Sequence, residues 1–453
     1  VGSLAGAAVT TGVQNTLIGG LAGDAITTGH SNAATGYNAL GATTTGAALS
    51  ALGKDALAAN TTGSSNTGVG KAALFSNTEG GTNTAVGKDA LYANTTASNN
   101  TAVGYSALTA NTTGALNVAV GAVSLDANTT GGSIVAVGYG ALSENTTASN
   151  NTAVGYVALL ANTTGASNTA VGALALDANT TGLENVAMGH HAMSVNTTGK
   201  QNVAIGQASL DANTTADNNT AVGHDSLTNN TTGASNTGLG QASLQSNTTA
   251  SNNTAVGYAA LTANTTGTNN AALGANALDA NTTGGDNTGL GRSALGQNTT
   301  ASYGTAVGYE ALAANTTGAS NTAVGRTALT ANTTAANNTA VGYASLNANT
   351  TGTQNSSVGS QSLLANTTGD YNSALGQNAL VSNTTGNQNT AVGAYALTTN
   401  ISSHTSTAVG YQAGQNSTAT ATTAVGYRAG SSISSGSNNA AFGAAIMSGS
   451  AVT

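Results

Sequence analysis

From Asn100 to Asn117 the chain reads NTAVGYSALTANTTGALN, and from Asn151 to Asn168 it reads NTAVGYVALLANTTGASN. Ala-Val-Gly, then Ala-Leu, then Asn-Thr-Thr-Gly return in the same order and at the same distances. The glycine of the Ala-Val-Gly word serves as a ruler. It stands at Gly2, Gly19, Gly36, Gly53, Gly70, Gly87 and Gly104, and continues in steps of 17 to Gly410. One step of 16 leads to Gly426 and one of 17 to Gly443, which makes 27 glycines in register. An internal repeat of this kind decides the architecture before any secondary structure is read. The expectation is a single repeat domain over residues 1–453, regular over 2–410, with one 16-residue coil and a divergent end over 411–453. No second domain or linker is expected.

Within a unit, the residue before the ruler glycine is aliphatic, as in Val86, Val103, Val120, Met188 and Ile205. Four places after the glycine, Leu or Met recurs, with Ala or Ser just before it. The Leu row includes Leu91, Leu108, Leu125, Leu142, Leu159 and Leu176, which are expected to form an aliphatic core stack. Gly in mid-unit, runs of Asn and Thr, and no 3.6-residue period argue against helix. Short strands broken by Gly and Asn/Thr turns fit better, and each unit is expected to run strand, tight bend, strand, longer turn. Constant unit length points to an all-β fold: a parallel β-solenoid or β-roll of about 27 coils, successive coils stacking at ~4.8 Å to give a rod of roughly 130 Å.

Alternate strand residues face opposite ways. The Val and Leu positions are both restricted to aliphatics, and their neighbours to Ala, Gly or Ser. The expectation is that the aliphatic side fills the coil while the small side allows another chain to approach. A tight bend that simply favours small residues explains the second half equally. One coil buries about two aliphatic side chains, worth ~1.5–3 kcal/mol each. Ordering 17 residues costs on the order of 17–34 kcal/mol. Neighbouring coils and neighbouring chains are expected to supply the difference.

Two asparagine rows accompany the aliphatic ones. The first runs without a gap from Asn60 and Asn77 to Asn400. Nineteen of its members open an Asn-Thr-Thr word: Asn60, Asn94, Asn111, Asn128, Asn145, Asn162, Asn179, Asn196, Asn213, Asn230, Asn247, Asn264, Asn281, Asn298, Asn315, Asn332, Asn349, Asn366 and Asn383. The second includes Asn66, Asn83, Asn100, Asn117, Asn151 and Asn168. Stacked amides bond to the coils above and below, as in amyloid-type ladders, so a structural ladder is expected. Asn-Thr-Thr is also a glycosylation acceptor; glycans one strand apart would crowd, so at most a subset is expected to carry them.

Composition excludes much. There is no Pro, Cys or Trp, 5% of residues are charged, and the formal net charge is -8. No disulfide or Cys-ligated zinc is available. No apolar run reaches the ~18 residues of a membrane span. Seven Lys and Arg, scattered along the sequence, suggest no phosphate-binding stripe and hence no nucleic-acid partner. The five His are His30, His190, His191, His224 and His404; His190 and His191 have no Cys or carboxylate at ligand spacing and are expected on opposite faces of a strand. The Gly-Lys of GVGKAAL, from Gly68, is followed by Ala72 where a phosphate loop needs Ser or Thr. GLGRSALG, from Gly289, is the repeat itself. No enzyme activity, metal or cofactor is expected. Tyr37, Tyr105, Tyr139, Tyr156, Tyr258, Tyr309 and Tyr343 share one phase and serve either to cover a strand edge or to stack on sugars. Ice binding needs Thr-x-Thr along a flat strand, whereas Thr112 and Thr113 are adjacent and expected in a turn.

NTAVGYxALxANTTG resembles the repeats of trimeric phage tail-fibre proteins. The AVG and AIG words, as at Ala204 to Gly206, are similar to the head repeats of trimeric autotransporter adhesins. The resemblance implies a homotrimeric, non-enzymatic fibre at an extracellular, cell or virion surface, with glycans as candidate partners and no membrane insertion. The alternative is an adhesin or tail-fibre shaft lacking its binding tip. The 17-residue period is longer than the autotransporter unit, and a chaperone or anchor at the end is not recognisable. The ends remain in phase, at Gly2 and at Gly443 and Met447, with Gly23, Gly414 and Gly430 replacing the stack Leu. Head-to-tail stacking into filaments is therefore expected as well.

Overall fold

The computed structural model describes residues 2–434 and 436–447, as two units that meet after His224. The first holds thirteen three-residue strands, β1 (Thr16–Ile18) to β13 (Thr220–Val222). The second holds thirteen more, β14 (Thr237–Leu239) to β26 (Ala440–Phe442). Within each unit every strand pairs in parallel with the next, in register: Thr152, Ala153 and Val154 face Thr169, Ala170 and Val171, and Thr305, Ala306 and Val307 face Thr322, Ala323 and Val324. The described residues contain no helix. The chain is a parallel β-solenoid of about 25 coils of about 17 residues.

The ruler glycine sets the step. Gly104 has φ +144°, and a Cβ built on Gly104 would lie 2.3 Å from the carbonyl oxygen of Gly121 in the next coil. Only glycine meets both demands, the left-half φ and backbone stacked directly on backbone. Its neighbours then close the ladder, with the Gly121 amide donating to Val103 O at 2.8 Å.

The expected second strand does not form. After the glycine the chain alternates the sign of φ, with Ser106 at +52° and Leu108 at +53°. This places six turn residues where a strand was expected. Alternation aims successive amides along the axis in opposite directions. Ser106 N donates to Lys88 O of the preceding coil, and Leu108 N to Ser124 O of the following one. The left-handed conformation costs an L-residue roughly 1–2 kcal/mol. It is held because the turn's inter-coil bonds and the burial of Leu depend on it.

The inside and outside of the strand are also reversed from expectation. Ala102 is fully buried and Val103 is 36% exposed; Ala272 is 1% exposed and Leu273 49%. The reason is the leucine row. A Cβ on Gly68, which occupies the central strand position, would sit 3.3 Å from Leu57 Cγ of the preceding coil, and Gly289 meets Leu278 in the same way. Leu fills the thin interior, so Ala, Gly or, at Ser357, Ser stands opposite, and Leu17 fits where the row holds Gly23. Leu91, Leu108, Leu125, Leu142, Leu159 and Leu176 are all fully buried, as expected of the core stack. Ala107 and Ala158 are sealed inside as well. The small residues therefore line the coil interior and offer no surface to another chain.

Where the row holds Gly23 or Gly430, the leucine volume comes from another place. Ile26 and Ile433, three residues further on at the usual asparagine position, approach those glycines at 2.8 and 3.0 Å from a built Cβ. Both glycines keep the left-handed φ of the row, +56° and +61°. Met447 also keeps it, at +55°. Val1 and residues 448–453, invoked for end-to-end stacking, lie outside the described residues.

Gly155→Ala tests the ruler. Its Cβ would meet Gly172 O at 2.4 Å at φ +146°. The expected loss is on the order of 3 kcal/mol, from strain plus overpacking. Gly165→Ala has a built Cβ 2.2 Å from Gly182 O but no positive φ, and its column natively holds Ala97 and Ala148; without the φ strain it is expected to cost less, about 1 kcal/mol. Urea midpoints of the two variants check the difference.

Candidate functional site

The asparagine rows are structural. Asn111 Nδ2 donates to Asn94 Oδ1 and to Gly114 O, both at 2.9 Å, and its own Oδ1 accepts from Asn128 Nδ2. Asn281 repeats the pattern in the second unit, on Asn264 and Gly284. In the other row Asn100 Oδ1 accepts from Asn117 N, while Asn117 Nδ2 reaches Gly131 O. A buried amide with both hydrogens and its oxygen engaged meets no desolvation penalty. All nineteen asparagines of the Asn-Thr-Thr words are fully buried. In the folded coil the nitrogen that would carry a sugar is engaged in the ladder and faces inward. The first row ends at Asn400, whose amide turns to Ser403, leaving Asn383 Oδ1 without a partner. The 16-residue step follows.

What remains for function is the outer surface, which carries rows one residue wide. The first strand position is mostly Thr, half-buried, as at Thr101 and Thr305. The third is aliphatic and faces out. In the first unit it includes Leu52, Val103, Val120, Met188 and Ile205; in the second, Leu239, Leu273, Leu290, Val358 and Leu375. An open apolar depression of about 290 Å³ lies there over Val256, Leu273 and Leu290, where Ala271 replaces the usual Thr. Just beyond the ruler glycine, Tyr37, Tyr105, Tyr139 and Tyr156 are exposed, as are Tyr258, Tyr309 and Tyr343. In Asn-Thr-Thr the first hydroxyl extends the ladder, Thr112 Oγ1 donating to Thr129 O at 3.0 Å. The second, Thr113, is exposed.

No catalytic constellation emerges from the sequence-flagged residues. His190 and His191 lie in a turn and not across a strand; φ +56° at His191 brings their rings edge to face at 4.2 Å. Among the described residues no three His, Cys, Asp or Glu side chains converge as a metal site would. A polar depression of about 520 Å³ opens over Asn276, Asp279, Ser293 and Glu310, where Gly296 leaves a side chain out of its row. Four carboxylates, Asp126, Asp177, Asp211 and Asp279, stand at the position after the stack Leu, a row the sequence reading does not single out. Burial pushes Asp126, Asp177 and Asp279 above the usual carboxylate range. One oxygen each of Asp126 and Asp177 has no hydrogen-bond partner.

No protein-family model matches the chain, and no curated protein is significantly similar to it.

The raised carboxylates fix the sign of one pH response. The folded state holds their protons more tightly than the unfolded chain does. Their contribution is therefore fully favourable below the ordinary Asp value and is lost as pH rises through the folded value. Asp126→Asn/Asp177→Asn/Asp279→Asn is expected to melt higher than the parent at pH 7, with the gap shrinking towards pH 4. Melting curves at the two pH values check this; a gap that widens on acidification contradicts it.

Proposed function

We propose that this chain is a non-enzymatic structural subunit of a fibre, built by lateral association of identical chains through the outward aliphatic row. The supporting observation is the combination of restriction and exposure at the third strand position. A site facing water tolerates polar residues, yet Val, Leu, Ile or Met stands in nearly every coil, and Leu273 and Leu375 are about half exposed. Contiguous apolar surface on a repeat protein marks an interface. The row recurs in nearly every coil of each unit, so an identical chain presents a matching row. This replaces the small-residue contact expected from sequence. The resemblance to trimeric tail fibres and adhesins supports a homotrimer and a place outside the cell or on a virion. A shaft for surface attachment is the same reading with a binding tip carried elsewhere.

An ice-binding solenoid is the second reading. Thr101 and Val103 lie on the outer side of one short strand in a parallel in-register array, as Thr305 and Val307 do. This is the type of surface that the adjacent turn threonines did not offer. Inhibition of ice recrystallisation at micromolar protein supports it, and unaltered ice growth removes it.

The fibre reading is tested by mass in solution. The parent chain is expected to sediment as a multiple of its 43.1 kDa. Leu239→Thr/Leu273→Thr/Leu290→Thr/Leu375→Thr keeps β-propensity while removing apolar surface, and is expected to weaken association by about tenfold or more. A parent that sediments as a monomer at all concentrations overturns the proposal.

A further inference from the structure

The position immediately after the ruler glycine is one of seventeen in the coil, yet it holds five of the seven basic residues: Lys54, Lys71, Lys88, Arg292 and Arg326. None of the fifteen acidic residues occupies it. Within each unit the fold thus aligns cations that are scattered in the sequence, at ~4.8 Å per coil. All five are exposed, and they alternate with or adjoin the exposed tyrosines. In the first unit the column reads Tyr37, Lys54, Lys71, Lys88, Tyr105; in the second, Arg292, Tyr309, Arg326, Tyr343.

We infer that this column is a binding track for a linear acidic polysaccharide, whose carboxylate or sulfate groups meet the cations. Like charges stacked on adjacent coils repel, so a column that gathers them is stabilised by an anion. The two ion pairs present relieve only part of this: Lys54 meets Asp55 at 3.8 Å and Lys88 meets Asp89 at 3.1 Å. Lys71, Arg292 and Arg326 are in no ion pair among the described residues. The guanidinium fork matches carboxylate and sulfate oxygens.

The rings separate a polysaccharide from a nucleic acid. A single-stranded nucleic acid binds by stacking bases on aromatic faces. Here cations already lie against rings of the column. Lys88 Nζ lies over the Tyr105 ring at 5.1 Å, and Arg292 and Arg326 flank Tyr309 at 5.7 and 5.9 Å. Cation–π contact holds the cations in line along the axis. It leaves ring edges, phenol hydroxyls and charged groups outward, which is a surface for hydroxyl-rich chains. One coil spacing is comparable with the length of one sugar ring, so a polysaccharide running along the axis meets the column in register.

The test uses the full chain at low salt with four probes: alginate for carboxylate, dextran sulfate for sulfate, neutral dextran, and oligothymidylate. Alginate, dextran sulfate or both are expected to bind, more weakly as salt rises, and neutral dextran is not. Which of the two binds identifies the anion. Lys54→Gln/Lys71→Gln/Lys88→Gln/Arg292→Gln/Arg326→Gln is expected to lose roughly tenfold in affinity, as five exposed ion pairs would give. Lys200→Gln, an exposed cation outside the column, is expected to change nothing. Circular dichroism checks that the coil persists. Failure of both charged polysaccharides to bind, equal binding by the five-site variant, or tighter binding of oligothymidylate overturns the inference.

Discussion

Everything in this structure hangs on one close approach: the backbone of each ruler glycine lies directly on that of the next. A built Cβ at Gly155 would sit 2.4 Å from Gly172 O. That contact holds across the 16-residue step as well, with a Cβ built on Gly410 2.5 Å from Gly426 O, so the missing residue is absorbed elsewhere in the coil while the strands stay in register. Wherever the step is 17 residues, the stacked glycines set the register of every other row. Asn lands on Asn, Leu on Leu and Thr on Thr because the glycines are in contact. The amide ladder then adds direction, each Asn111-type side chain tied to its own turn and to the coil before it. Backbone polarity is satisfied between coils and the interior needs few large side chains. A chain with 3% aromatic residues can therefore fold without a conventional core.

The period, the parallel register, the leucine core and the amide ladders are all legible in the sequence, because each follows from recurrence at a fixed interval. Two features are not. The Tyr-x-Ala-Leu segment reads as a strand by its alternation. Nothing about Leu108 signals a φ of +53°, since a left-handed leucine is held by burial and inter-coil bonds, not by local preference. Orientation of the Thr-Ala-Val strand is hidden for a related reason. The ordinary rule buries the larger aliphatic residue, but Leu from the turn already occupies the interior, so Ala102 turns in and Val103 turns out. The alignment of Lys54, Lys71 and Lys88 was readable from their spacing of 17. Counting cations along the chain, and not by phase, concealed it.

The reversal changes the argument for association. A constraint on both faces of a strand still calls for two environments, one inside the coil and one beyond it. The environment beyond the coil is aliphatic, lined by residues such as Val154 and Leu290. The polar rows beside it, Thr on one side and Tyr with Lys or Arg on the other, are the natural rim of such a contact. The proposed interface and the proposed anion track would then use neighbouring rows with separate chemistry, so a substitution in one need not disturb the other.

The absence of native cysteine makes thiol labelling the most direct measurement of where each strand residue faces. Ala153→Cys and Val154→Cys differ by one position on one strand. In the concentrated, assembled protein both thiols are expected to react slowly, Ala153→Cys because it lies in the coil interior and Val154→Cys because a neighbouring chain covers it. On dilution below the dissociation constant only Val154→Cys is expected to become reactive. Rapid labelling of Val154→Cys at every concentration, or faster labelling of Ala153→Cys than of Val154→Cys, contradicts the account.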